Sequence, residues 1–201
     1  MPNYPEPKFR GPKRTKAPRP LSRVELHIHL DGSLRMSTIW EISKAKGLSL
    51  PGDGSLEALA AHVEMAAPAD LTDFLSGFQY TAPALVGDMA AVERIAVEFC
   101  EDAAYNGVLY VESRFCPNFL VGDSGSVTSD DVVEAVLRGF MKGEEEFGVV
   151  ARVILCCIRF IVVLSQLLLY GHKTDYNVWL NDALVDVFVL TGVCPSSART
   201  F

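Results

Sequence analysis

The 201 residues are 49% hydrophobic and 21% charged, with a formal charge of −7, which supplies one sizeable core and gives a globular composition. The balance is uneven, because Lys8, Arg10, Lys13, Arg14, Lys16, Arg19 and Arg23 face only Glu6 at the start of the chain. Residues 1–22 therefore read as a disordered Pro/Lys/Arg-rich arm, too poor in apolar side chains to offset its ordering entropy. Such an arm can touch nucleic acid or acidic lipid, but a solvated tail is the expectation. It contains no apolar h-region, which excludes a secretory signal, and its prolines oppose a mitochondrial transit helix.

The string Val24-Glu25-Leu26-His27-Ile28-His29-Leu30-Asp31-Gly32-Ser33 comes next. Its period of two predicts a strand that points His27, His29 and Asp31 to one side, with Asp31-Gly32 turning the chain out of it. Two neutral imidazoles about 6–7 Å apart along a strand can converge on one divalent ion, and imidazole suits zinc, iron, copper or nickel. The pair alone names no metal, and a half-exposed strand with polar residues facing solvent is the plain alternative.

Ser37 and Thr38 with Glu41 offer a capping box and Gly47 a stop, so a helix is predicted over 38–46. A linker with Pro51, Gly52 and Gly54 follows. Residues 70–85 read as a helix with Leu71, Phe74, Leu75 and Phe78 on one face, which by spacing alone is a core stripe. A further helix starts at Asp88, keeps Val92, Ile95, Ala96, Phe99 and Ala103 in phase, and ends at Gly107. A strand over 108–115 follows it. Thr128 with Asp131 opens another helix, striped by Val132, Val133, Val136, Leu137, Phe140 and Met141, and a strand over 149–158 closes the series. Strand, helices, strand, helix, strand implies an α/β fold with a parallel sheet and helices outside it.

Cys100, Cys116, Cys156, Cys157 and Cys194 form no Cys-x-x-Cys pair and sit among apolar residues. They read as buried thiols in a reducing, cytoplasmic setting. The lack of Cys-x-x-Cys with His-x-Glu argues against the zinc architecture of nucleobase-editing deaminases.

Residues 23–159 resemble the N-terminal part of the adenosine deaminase family. Besides the histidine string, the matching stretches in order are Leu71-Thr72-Asp73-Phe74-Leu75, Tyr110-Val111-Glu112 with Arg114 and Pro117, and Phe147-Gly148 followed by Ala151-Arg152, Ile154-Leu155-Cys156-Cys157 and Arg159. The resemblance implies the opening of a TIM-type (β/α) barrel, with the active site at the C-terminal ends of the strands. It implies that His27 and His29 bind a catalytic zinc and that Asp31 hydrogen-bonds the ribose of adenosine or 2'-deoxyadenosine. It also implies that Leu71, Phe74, Leu75 and Phe78 line or gate the nucleoside pocket, in an enzyme of purine salvage.

The family's third zinc histidine, its His-Ala-Gly-Glu motif and its later histidine and aspartate have no match in these residues. The other histidines are His62, expected at the surface, and His172, in the apparent turn Gly171-His172-Lys173. The chain by itself is therefore expected to hold zinc weakly and to turn over little or no adenosine. The alternative is a non-catalytic deaminase-derived chain that acts through binding, with self-association through open sheet edges. Residues 160–170 form an apolar run, too short for a membrane span. The reading of residues 160–201 is a tail outside the resemblance, arising from a splice variant, read-through, frameshift or gene-model error.

Overall fold

The computed structural model describes residues 22–64, 75–122 and 125–157, together with the backbone of 186–190. In chain order, its elements are β1 (Arg23–His29), α1 (Met36–Lys46), α2 (Leu56–Val63), α3 (Phe78–Leu85) and α4 (Met89–Tyr105). They continue with β2 (Val108–Phe115), a 3-10 turn (Pro117–Leu120), α5 (Ser129–Phe147), β3 (Val150–Cys157) and β4 (Asp186–Leu190). The expectations for the basic arm, Leu71, Phe74, the apolar run at 160–170 and His172 fall outside the described residues.

The sheet order is β1-β2-β3-β4. β1, β2 and β3 run parallel, as the alternating units predict, and each crossover carries helix. β4, not anticipated from the sequence, pairs antiparallel with β3 from Val153↔Leu190 to Cys157↔Asp186. This is the architecture of opening β/α units of a TIM-type barrel, with one antiparallel strand added beyond the third.

The core lies between the sheet and the α4–α5 pair. Val92, Ile95, Phe99, Val132, Val136 and Phe140 from the helices are buried with Val111, Phe115, Val153 and Leu155 from the strands. Burying one such side chain contributes about 1.5–3 kcal/mol. Phe99 stacks on Phe140 with centroids 5.7 Å apart. The stripe on α5 is narrower than predicted: Met141 is an exposed position at 48%, while Gly139 and Gly143 are buried against α4. A helix face that meets another backbone at close range selects small residues, so the glycines take the contact that Met141 was expected to share.

Local signals explain the helix ends. The Asp88 side chain accepts from the Ala91 amide at 3.0 Å and starts α4. The predicted Thr128–Asp131 capping box is present, each side chain accepting from the other's backbone N–H. Gly47 and Gly148 close α1 and α5 in the left-handed region, at φ 66° and 71°, where glycine carries no Cβ penalty.

The capping box expected from Ser37 or Thr38 with Glu41 does not form. α1 begins after Arg35 with no side-chain cap. Thr38 instead donates its hydroxyl to Glu98 at 2.8 Å, and Glu41 accepts from Arg94 at 2.9 Å. Arg35 pairs with Asp102 and Glu101 at 2.9 and 2.7 Å. Partners on α4, some 53 to 67 residues away in sequence, outcompete the local cap. The network pins α1 to α4 and thereby fixes where the loop after β1 leads. Lys46 adds a bond to the Ala84 carbonyl and a 2.9 Å pair with Asp88.

Candidate metal and nucleoside site

β1 ends at His29, and its histidines stand at the C-terminal end of the first parallel strand. The strict alternation expected of this strand holds only in its second half. The register with β2 shifts between Arg23 and Val24 and again between Glu25 and Ile28, and Val24 and Leu26 are 63% and 54% exposed. A bulged edge strand keeps its pleat where core residues hold it, here at Ile28 and Leu30, and loses it where nothing covers the apolar side.

His27 and His29 are exposed, with ring centroids 5.8 Å apart and planes tilted by 36°. An ion at about 2.0–2.1 Å from a ring nitrogen lies about 3.2 Å from that ring's centroid, so two rings sharing one ion have centroids at most about 6.4 Å apart. The observed spacing fits two imidazoles on one metal.

Asp31 lies just beyond the strand. Its Oδ1 is buried, has no hydrogen-bond partner and sits 3.7 Å from His29 Nδ1, beyond hydrogen-bond reach. Burial pushes the Asp31 carboxyl above the usual carboxylate value, opposed by the His29 ring and the amides of Asp31 and Gly32. A buried acceptor oxygen without a donor is costly unless a ligand or water supplies one. The turn that carries it is held by the Ser33 hydroxyl donating to the His29 carbonyl at 2.6 Å and by the Ser33 amide on the Leu30 carbonyl.

His62 is exposed, as expected, with Nδ1 2.7 Å from the Ala58 carbonyl and its ring edge-on to Tyr80. Among the described residues, no three His, Cys, Asp or Glu side chains converge as a metal-holding group. The described residues bring two imidazoles and one carboxylate near one another at the end of β1. Of the apolar residues expected at a nucleoside pocket, Leu75 is 51% exposed and Phe78 half-buried at the start of α3. They belong to a different segment from the β1–β2 contacts that organise the histidines.

A groove of about 710 Å³ lies between β1, α4 and β2, lined among others by Val24, Ile28, Phe99, Ala103 and Val108 with Asp102. Neither histidine nor Asp31 lines it. Its lining is mixed, with Arg23, Glu25, Ser33 and Asn106 beside the apolar residues.

Sequence reasoning named Arg114 and Glu25 within motifs but gave neither a role at the site. Arg114 pairs in register with His29 and donates from Nη2 to the Leu26 carbonyl at 3.0 Å. Glu25 accepts from the His27 amide at 3.1 Å. Deeper on β2, the Tyr110 hydroxyl donates to Glu112 at 2.9 Å, and burial together with that carboxylate pushes the Tyr110 phenol up. Cys100, Cys116 and Cys156 are buried, as predicted, and form no disulfide; the remaining two cysteines lie outside the side chains described. No helix among the described residues is long and apolar enough to cross a membrane.

The sequence matches the family model described as "Adenosine deaminase" over residues 22–169. The match to the family model includes residues 160–169. The chain is 44% identical over 147 residues to the adenosine deaminase of Xenopus tropicalis, covering 68% of this chain and 41% of that protein. Among solved structures, adenine deaminase from Arthrobacter aurescens superposes with a TM-score of 0.56 at 26% identity, covering 65% of this chain and 38% of that one. An amidohydrolase from Burkhoderia ambifaria with bound Zn gives 0.57 at 27% identity, covering 67% and 35%. The chain thus spans about two fifths of the length of the curated relatives it matches. With the parallel β/α order, the histidine pair at the end of β1 and a family match over most of its residues, the chain belongs to the adenosine deaminase family.

Proposed function

We propose that this chain supplies the first metal-binding strand and part of the nucleoside pocket of a zinc hydrolase. The reaction is hydrolytic removal of the 6-amino group of adenosine or 2'-deoxyadenosine, in which water is consumed and ammonia released with inosine or 2'-deoxyinosine, respectively. The observation that carries the reading is the grouping at the end of β1. Two exposed imidazoles 5.8 Å apart stand beside a carboxylate whose buried Oδ1 lacks a donor.

His27 and His29 would hold the zinc through ring nitrogens. A bound zinc lowers the pKa of a water ligand to about 7, making hydroxide available near neutrality. Asp31 takes a ribose hydroxyl on its unpartnered oxygen and so orients the nucleoside. Leu71, Phe74, Leu75 and Phe78 provide an apolar wall for the purine, a reading supported by their helical spacing and by the exposure of Leu75. The buried thiols, which form no disulfide, support a reducing, cytoplasmic setting.

Catalytic zinc ordinarily has three protein ligands and an open position, and the described residues bring two together. The 201-residue chain alone is accordingly expected to bind zinc weakly and to convert little or no adenosine. A second reading, binding without turnover, is favoured by the edge of β1. Val24 and Leu26 are solvent-exposed there, and among the described residues no strand pairs with its outer side. Such an edge recruits another strand or a second copy.

The deciding experiment is conversion of adenosine to inosine by the purified chain with added zinc, alongside His27→Ala and His29→Ala. Loss of zinc binding in both variants supports the site even where the parent shows no turnover. Zinc binding unchanged in both would overturn it.

A further inference from the structure

The peptide unit joining Leu26 to His27 lies in an irregular stretch of the β1–β2 ladder. It lies where the β1–β2 register shifts between Glu25 and Ile28, and side chains receive both of its polar groups. Its carbonyl accepts from Arg114 Nη2 at 3.0 Å, across 88 residues of sequence, and its N–H donates to Glu25 Oε1 at 3.1 Å. The Arg114 backbone carbonyl also accepts from the Leu30 amide at 2.9 Å. Arg114 thus holds the chain just before His27 with its side chain and just after His29 with its main chain, while sitting opposite His29 in the register.

We infer that Arg114 and Glu25 form a charge-assisted clamp on the Leu26–His27 peptide that positions His27 for metal binding. The inference rests on the reading of His27 and His29 as metal ligands. A strand bulge frees His27 from the direction the ladder would impose, but an unanchored bulge leaves the imidazole to sample many orientations. Hydrogen bonds to ionised partners are shorter and stronger than neutral ones, so a guanidinium above and a carboxylate below restore the lost order. Arg114 is suited to this because its fork has several donors, of which Nη2 reaches the Leu26 carbonyl. Arg114 and Glu25 are positioning residues, since neither touches the metal in this arrangement.

The test compares Arg114→Met, Arg114→Lys and Glu25→Ala with the parent 201-residue chain, and with His27→Ala and His29→Ala. Two readouts are taken: exchange of the His27 amide, which needs no metal, and zinc affinity by chelator competition, with cobalt absorption reporting site geometry. The clamp predicts faster His27 amide exchange in Arg114→Met and Glu25→Ala. Zinc affinity falls by about tenfold or more, the usual size of an outer-partner effect, with an altered cobalt spectrum and a smaller loss in Arg114→Lys. Unchanged His27 exchange in Arg114→Met overturns the clamp. Faster exchange with zinc affinity and cobalt spectrum intact overturns its role toward the metal. Zinc binding that survives His27→Ala and His29→Ala refutes the metal reading instead, whatever the exchange shows. Should Arg114→Met fail to fold, Glu25→Ala, which removes the acceptor of the His27 amide, decides the same question.

Discussion

Replacing Gly139 by alanine tests how closely α4 and α5 approach, on which the placement of β2 and β3 depends. In an exposed helix interior the change would stabilise by about 1 kcal/mol, through lower unfolded-state entropy and better helix propensity. Here a Cβ would lie 2.5 Å from both the Ala96 Cβ and the Glu93 carbonyl, and 3.3 Å from the Val97 amide. The Glu93 carbonyl is backbone and cannot rotate aside, so the helices must part by roughly an ångström. That separation loosens the Phe99–Phe140 stack and the valines around it. Overpacking costs about 1–3 kcal/mol, and a backbone clash belongs at the upper end. Subtracting the propensity gain leaves about 2 kcal/mol of net destabilisation. For a chain of this size that is a Tm lower by about 4–8 °C. Thermal unfolding followed by circular dichroism, with a urea titration to confirm an unchanged m-value, measures it. A Gly139→Ala protein as stable as the parent, or more so, would refute the close crossing of α4 and α5.

Two further outcomes follow from the same helices. Thr128→Ala removes one half of the capping box with Asp131 and is expected to cost about 1 kcal/mol, read as a Tm lower by about 2–4 °C; no change would mean that the box does not stabilise α5. Glu93 pairs with Arg138 at 3.0 Å and with Lys142. Burial raises its carboxyl, but the two cations outweigh this and hold it below its ordinary 4.5. Because the folded value is depressed, the stabilisation is fully present above about pH 4.5 and is lost as pH falls through the folded value. The margin of the parent over Glu93→Gln in urea unfolding should therefore shrink towards about pH 3, and a margin constant between pH 3 and pH 7 would refute the pairing.

The elements with strong local signals were legible in the sequence. β2 occupies residues 108–115 as read from its pattern, α4 starts at Asp88, and the Thr128–Asp131 box opens α5. The histidine pair was visible because both imidazoles sit on one short strand, and spacing alone brings them near each other. The failures share a cause. Thr38 and Glu41 carry a capping pattern, yet their oxygens go to Glu98 and Arg94 on a helix far along the chain. Met141 fits the apolar phase of α5, but the close face belongs to Gly139 and Gly143, because a neighbouring backbone decides which residues are covered.

The chemical identity of the site and the order of its strands came from the sequence by itself: which residues are imidazoles, which are carboxylates, and that strand and helix alternate. Tertiary structure decided the rest. It buried Asp31 Oδ1 without a donor, broke the β1–β2 register at Glu25, and brought the Arg114 guanidinium onto the Leu26 carbonyl. Periodicity and capping act within a few residues and leave a local trace in the sequence. Desolvation and hydrogen bonds across many tens of residues exist only once the chain has folded, so no local pattern records them.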